Sequence, residues 1–234
     1  MFPLRDKHRT TARPWITIGL IVVNAAAFVH ELSLSPRELD HLVTSLGLTP
    51  ARLADPRWRA ELGFGLRDFW PFFTSLFLHG GLLHVASNLW FLWIFGDNVE
   101  ERFGSLRFLF FYLLCGFAAG MLHVIVEPHS SAPAIGASGA IAGVMGAYLR
   151  LFPRGRIITI IPIFIFPLLV EVPALLFLGL WFLLQLFGAS VGKLGGGDPA
   201  GGVAFWAHVG GFLAGAVLVP VFARRNPERS DWNR

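Results

Sequence analysis

A single cysteine in 234 residues, Cys115, excludes any intrachain disulfide, and a lone thiol inside an apolar run says nothing about redox compartment. Charge is also scarce. Asp, Glu, Lys and Arg together make up 15% of the chain, where a soluble domain of this length carries about 25%. Lysine is almost missing, at two residues against seventeen arginines. No H-E-x-x-H zinc motif occurs. No internal repeat of the kind that builds many transporters is visible either, which argues against a small transporter or channel. The basic first segment, MFPLRDKHRTTAR, runs into an apolar stretch without a clear cleavage site, so no cleavable signal peptide is expected.

What fills the chain instead is apolar: 54% hydrophobic residues and a mean hydropathy of +0.60. The apolar residues come in blocks of the length that crosses a bilayer as a helix, about 20 residues. The expected class is an all-α polytopic membrane protein with six transmembrane helices and a long first loop. The spans are expected near residues 15–30, 82–95, 106–126, 138–152, 172–187 and 203–222. These divide the chain into an N-tail (1–14), a membrane domain (15–222) and a C-tail (223–234). Within the first loop, LDHLVTSLGL and PRWRAELGF read as short amphipathic pieces at the interface. Residues 157–169 are expected to be a non-helical approach to the fifth span, because Pro162, Pro167 and Pro173 oppose one straight helix. The stretch 188–202 reads as a glycine-rich hinge.

The net charge of +4 does not point to nucleic acid, because the basic residues cluster at segment ends. With six spans, thirteen of the 19 Lys and Arg fall on one side, and five of the other six lie in the long first loop. The positive-inside rule then places both termini in the cytoplasm and turns loops 31–71, 127–137 and 188–202 outward. A bacterial inner membrane is the expected location.

Polar groups inside spans are costly and usually either functional or paired. PAIGASGAIAGVMGAY (133–148) opens the fourth span. Ser138 taken alone reads first as a helix N-cap, with a nucleophile as the alternative. Ser138, Ala142 and Gly146 form one small-residue stripe, with Gly139 and Gly143 beside it. In the last span, His208 shares a face with Gly211 and Gly215, a groove that invites a close helix. If those two helices pair, an imidazole can reach the Ser138 hydroxyl, and a serine with a histidine base suffices for nucleophilic acyl transfer. His84 and Asn88, at i and i+4 in the second span, are donors suited to an oxyanion; the alternative is interhelical glue worth about 0.6–2 kcal/mol per contact. A metal site from His79, His84 and His208 is disfavoured by the i, i+5 spacing of the first two. Glu100 and Arg102, in GDNVEERFGSLR, read as structural, and Glu171 takes no assigned role.

These motifs in this order resemble the rhomboid family of intramembrane serine proteases. The residues carrying the resemblance are His79, His84 and Asn88; Gly96, Glu100 and Arg102; Gly136, Ser138 and Gly139; and Ala207, His208, Gly211 and Gly215, within residues 68–222. The resemblance implies a Ser–His dyad that needs no cofactor. Ser138 would be the nucleophile and His208 the base, with His84, Asn88 and the Ser138 amide around the oxyanion. The partners it implies are transmembrane helices, cut near their outer ends, and the surrounding lipid. Loop 188–202 would cap the cavity, and the second and fifth spans would frame lateral entry. A catalytically inactive relative that binds membrane clients is the alternative, although such relatives typically lack the serine or the histidine. Two positions depart from the family pattern. Trp70-Pro71 stands where Trp-Arg is common, and Ala142 stands where an aromatic residue often stacks on the histidine.

Overall fold

A computed structural model describes residues 1–8, 10–54, 65–163, 166–194 and 203–224. The amphipathic reading of PRWRAELGF, most of the glycine-rich hinge and the C-tail beyond Arg224 lie outside these residues.

The elements in chain order are β1 (Phe2–Asp6), α1 (Trp15–Ser33), α2 (Pro36–Leu46), α3 (Pro50–Ala54), α4 (Pro71–Thr74), α5 (Leu82–Phe103), α6 (Ser105–Val126), α7 (Ser138–Leu151), β2 (Arg156–Ile163), β3 (Phe166–Pro173), α8 (Ala174–Leu194) and α9 (Phe205–Phe222). Each expected span coincides with a helix, and the helices overrun the expected ends most at α5 and α8. Among the described residues, α1, α6, α8 (through Val191) and α9 are long and apolar enough to cross a membrane; α5 makes a fifth if counted with the bent segment before it. At 14 residues, α7 is only about 21 Å long by the helical rise of 1.5 Å per residue. It sits at the centre of the bundle, with every residue from Gly139 to Tyr148 buried.

The chain is not all-α. β1, β2 and β3 form a three-stranded antiparallel sheet in that order. The cause is local. Residues 156–173 are rich in β-branched Ile, Thr and Val, which suit a pleated surface. Prolines recur in the same stretch and exclude a helix interior, and Pro162 pairs across the hairpin with Pro167. What sequence periodicity could not show is that the N-terminal segment supplies the third strand. Phe2 pairs with Ile160 and stacks on Trp90 of α5, whose indole donates to the Pro3 carbonyl at 2.7 Å. Glu171 lies on this sheet, paired with Lys7 at 2.5 Å and Arg156 at 3.8 Å, and is exposed.

Asp6 ties the strand to the bundle by accepting hydrogen bonds from Asn98 at 2.7 Å and Tyr148 at 3.0 Å. Burial pushes its carboxyl up from 3.8 to about 7; the charge of Asp97 adds to the rise, and the hydrogen bonds from Tyr148, the His8 backbone and Asn98 oppose it. Below about pH 4 both folded and unfolded chains carry the proton. Between there and about pH 7 only the folded chain keeps it, so strand docking weakens as pH rises through that window and then levels off. Amide exchange at residues 2–6, corrected for intrinsic rates, is expected to be faster at pH 8 than at pH 5. Asp6→Asn should flatten that difference, and protection unchanged across the range would contradict the assignment.

Glu100 is the knot of the opposite ends of three helices. One carboxylate oxygen accepts from the Ile16 amide at 3.0 Å and the Ser105 hydroxyl at 2.6 Å; the other accepts from the Thr17 amide and hydroxyl, both at 2.8 Å. It therefore satisfies free N–H groups in the first turn of α1, where the N-cap residue Pro14 offers no side-chain cap, and anchors the start of α6. The turn between α5 and α6 passes through Gly104 at φ +80°, against the Arg224 guanidinium. Glu100→Gln leaves one oxygen where there were two, so either the Thr17 donors or the Ile16 and Ser105 donors lose their acceptor. A loss of about 2–4 kcal/mol is expected, measurable as a lowered unfolding temperature in detergent.

Candidate active site

Close approach of α7 and α9 builds the site. A Cβ on Gly211 would fall on the Gly139 carbonyl, one on Gly215 on the Gly143 carbonyl, and one on Gly146 on the Phe212 carbonyl. Side chains of hydrogen on both helices let the two backbones touch. That contact brings the first residue of α7 beside the first turn of α9. His208 Nε2 lies 2.8 Å from Ser138 Oγ.

Ser138 is not an N-cap. It is the first helical residue, the capping position is Ala137, and no side chain caps the helix. The hydroxyl is thus left for His208, at the helix end where first-turn N–H groups have no partner within the helix. The strand-like segment before it is held by a Leu48–Ala134 bridge and by the Gly136 amide on the Ser75 carbonyl at 2.8 Å. Gly136 has φ +120°, and a Cβ there would press on His84 Nε2 at 2.6 Å. Glycine at this position therefore admits both the turn and the imidazole.

α5 brings the other candidates. His84 Nδ1 accepts from the Gly80 amide at 3.3 Å, which leaves Nε2 as the protonated nitrogen, facing Gly136. Asn88 is buried and its side-chain NH2 has no hydrogen-bond partner among the described residues. His79 packs edge-on to His84, ring centroids 5.2 Å apart, and its amide is held by Glu31 of α1 at 3.1 Å; it lies behind His84 and off the Ser138–His208 pair. Among the described residues no three His, Cys, Asp or Glu side chains are grouped to hold a metal ion. A cavity of about 210 Å³ opens between α5, α7, α8 and α9, lined by Asn88, Ser138, Met145, Trp181 and His208 among others.

The two departures noted in the sequence are met differently. Near Trp70-Pro71 an arginine from earlier in the first loop, Arg52, bonds Asp68 at 3.1 Å, and Pro71 opens α4. The absence of an aromatic ring at 142 is met from elsewhere: Trp181 of α8 lies 5.9 Å from the His208 ring and Phe205 of α9 itself lies 6.4 Å from it. Sequence reasoning missed Trp181 and also Gln185, whose Oε1 is 2.8 Å from His208 Nδ1. A signal was available, because Gln185 is the only glutamine in the chain and lies inside an apolar span.

Apolar helices of this kind define a multi-pass membrane protein, with a hydroxyl–imidazole pair set between two of them. The family model for the Rhomboid domain matches residues 66–225, and the chain belongs to the rhomboid family. It is 32% identical over 151 residues to Rhomboid protease GluP of Bacillus subtilis (strain 168), which covers 64% of this chain and 26% of that protein. It is 27% identical over 228 residues to Rhomboid-like protease 3 of Toxoplasma gondii, covering 94% and 72% respectively. RHOMBOID-like protein 6, mitochondrial, of Arabidopsis thaliana is 38% identical over 80 residues, or 34% and 25%. The chain thus spans about a quarter of the length of the first and third of these relatives.

Proposed function

We propose that the chain is an intramembrane serine endopeptidase that cuts transmembrane helices of other membrane proteins near the outer face. The observation that carries this reading is the 2.8 Å contact of His208 Nε2 with Ser138 Oγ inside a cavity between apolar helices. Ser138 Oγ bonds to the scissile carbonyl carbon as His208 Nε2 takes the hydroxyl proton. The oxyanion forms beside the Ser138 amide, His84 Nε2–H and the Asn88 amide, donors already in place before the reaction. Collapse expels the amine, which takes the proton from His208, and water then hydrolyses the acyl-enzyme by the same base.

In this reading the chain crosses the membrane six times, α7 as a short central crossing, with both termini in the cytoplasm of a bacterial cell. The sheet of β1–β3 then lies on the cytoplasmic side and the dyad toward the outside. Glu100 and the carbonyl of Arg102, which accepts from the Arg224 amide at 3.1 Å, hold the end remote from the chemistry. The relatives named as proteases support the reaction class. Purified protein in liposomes is expected to cleave a helical membrane substrate and to label at Ser138 with a fluorophosphonate. Labelling that persists at full level in His208→Ala would overturn the role given to the histidine.

A further inference from the structure

A neutral histidine can act as a base toward Ser138 only if Nε2 is bare and the proton sits on Nδ1. A Ser–His pair by itself does not choose between the two tautomers. The choice is made by whatever touches Nδ1, and here that group is on α8.

Gln185 Oε1 lies 2.8 Å from His208 Nδ1, and Gln185 Nε2 lies 3.2 Å from the Trp181 carbonyl one turn earlier. A backbone carbonyl only accepts, so the NH2 end of the amide must face it. The oxygen end then faces His208, and an amide oxygen also only accepts. The proton is therefore on Nδ1, Nε2 is bare, and the Ser138 hydroxyl donates to it at 2.8 Å. Direction is set at every link by the main chain of α8: Ser138 to His208, His208 to Gln185, Gln185 to the Trp181 carbonyl. The ring plane is limited by the Trp181 indole, tilted 35° to the imidazole at 5.9 Å.

We propose that Gln185 is a positioning residue for the base: it holds His208 in the Nδ1-protonated tautomer and orients Nε2 at Ser138, in a Ser138–His208–Gln185 relay anchored on α8. This extends the protease reading given above and rests on it. The same neutral acceptor also stabilises the imidazolium that forms during attack, though less than a carboxylate would. Both Trp181 and Gln185 belong to α8, so the base is aligned only while that helix is docked against α9.

The test has one arm that does not depend on cleavage. In full-length protein labelled with ¹⁵N-histidine and held in nanodiscs, the His208 resonances, assigned by their loss in His208→Ala, are expected to show the proton on Nδ1. A proton on Nε2 in the unmodified protein overturns the proposal whether or not the protein cleaves anything. In the second arm, Gln185→Met keeps the length and removes the acceptor. It should lower kcat by at least about 10-fold with KM within about threefold; a wrong tautomer costs about 10⁴-fold where the orienting group is a carboxylate. Gln185→Glu, which keeps an acceptor at that place, should restore kcat to within about threefold. Gln185→Met at full kcat overturns the proposal, as does Gln185→Glu as impaired as Gln185→Met. If no variant and no unmodified protein cleaves or labels, the protease reading fails, while the tautomer measurement still decides the role of Gln185.

Discussion

Ser138→Ala and His208→Ala are each expected to reduce cleavage of a reconstituted helical substrate by at least about 10³-fold, with unfolding temperature little changed. The size follows from how the two groups work. They act as one unit, so loss of either removes nearly everything that both supply, and the residual rate comes from the oxyanion donors and from substrate binding. Stability should survive because neither side chain is structural. Ser138 does not cap α7, and its hydroxyl bonds only to His208 among the described residues. Truncating the imidazole empties space beside a cavity of about 210 Å³ that already exists. The double variant should be no slower than the slower single one. Cleavage by purified Ser138→Ala at the unmodified rate would remove Ser138 from the reaction, and binding of a helical client without cleavage in the unmodified protein would favour the client-binding alternative.

Gly215→Leu is expected to abolish both activity and stable folding. A Cβ at 215 meets the carbonyl, carbonyl carbon and Cα of Gly143. These are backbone atoms in the middle of a helix buried on every side, and they cannot rotate away as a side chain can. Either α7 and α9 part, or the helix bends. Overpacking a core typically costs about 1–3 kcal/mol, and backbone contact puts this site at the top of that range or beyond it. Parting the helices also carries Ser138 away from His208, so cleavage should fall even in whatever fraction stays folded. Gly215→Ala should show the same direction at smaller size. Gly19→Leu on α1 is the control: nothing lies within 4 Å of a Cβ there, and its effect on unfolding temperature is expected to be small. An unfolding temperature for Gly215→Leu equal to that of Gly19→Leu would show that the close contact is not needed.

The helices were legible because hydropathy acts over segments of about 20 residues and needs no partner. Glu100 was legible as structural because a carboxylate in a charged segment at a helix end meets the free N–H groups of neighbouring helix starts. The small-residue faces of 139–146 and 211–215 were legible as a close contact because glycines at helical spacing leave a groove. The sheet was half legible. Proline and β-branched residues ruled a helix out of 157–169, but no pattern in residues 2–6 says that they cross the molecule to pair with 157–160.

Sequence by itself therefore determined which residues form helices and which side chains are chemically capable, because propensity, hydropathy and side-chain chemistry belong to single residues and their near neighbours. Tertiary structure alone decided which of them meet. Ser138 and His208 are 70 positions apart, and Gln185 is 23 from His208. A hydrogen bond of 2.8 Å depends on the crossing of three helices, which no local pattern encodes. The missing aromatic at Ala142 shows the same thing: the position looked like a loss along the chain, while in space Trp181 of α8 lies beside the histidine.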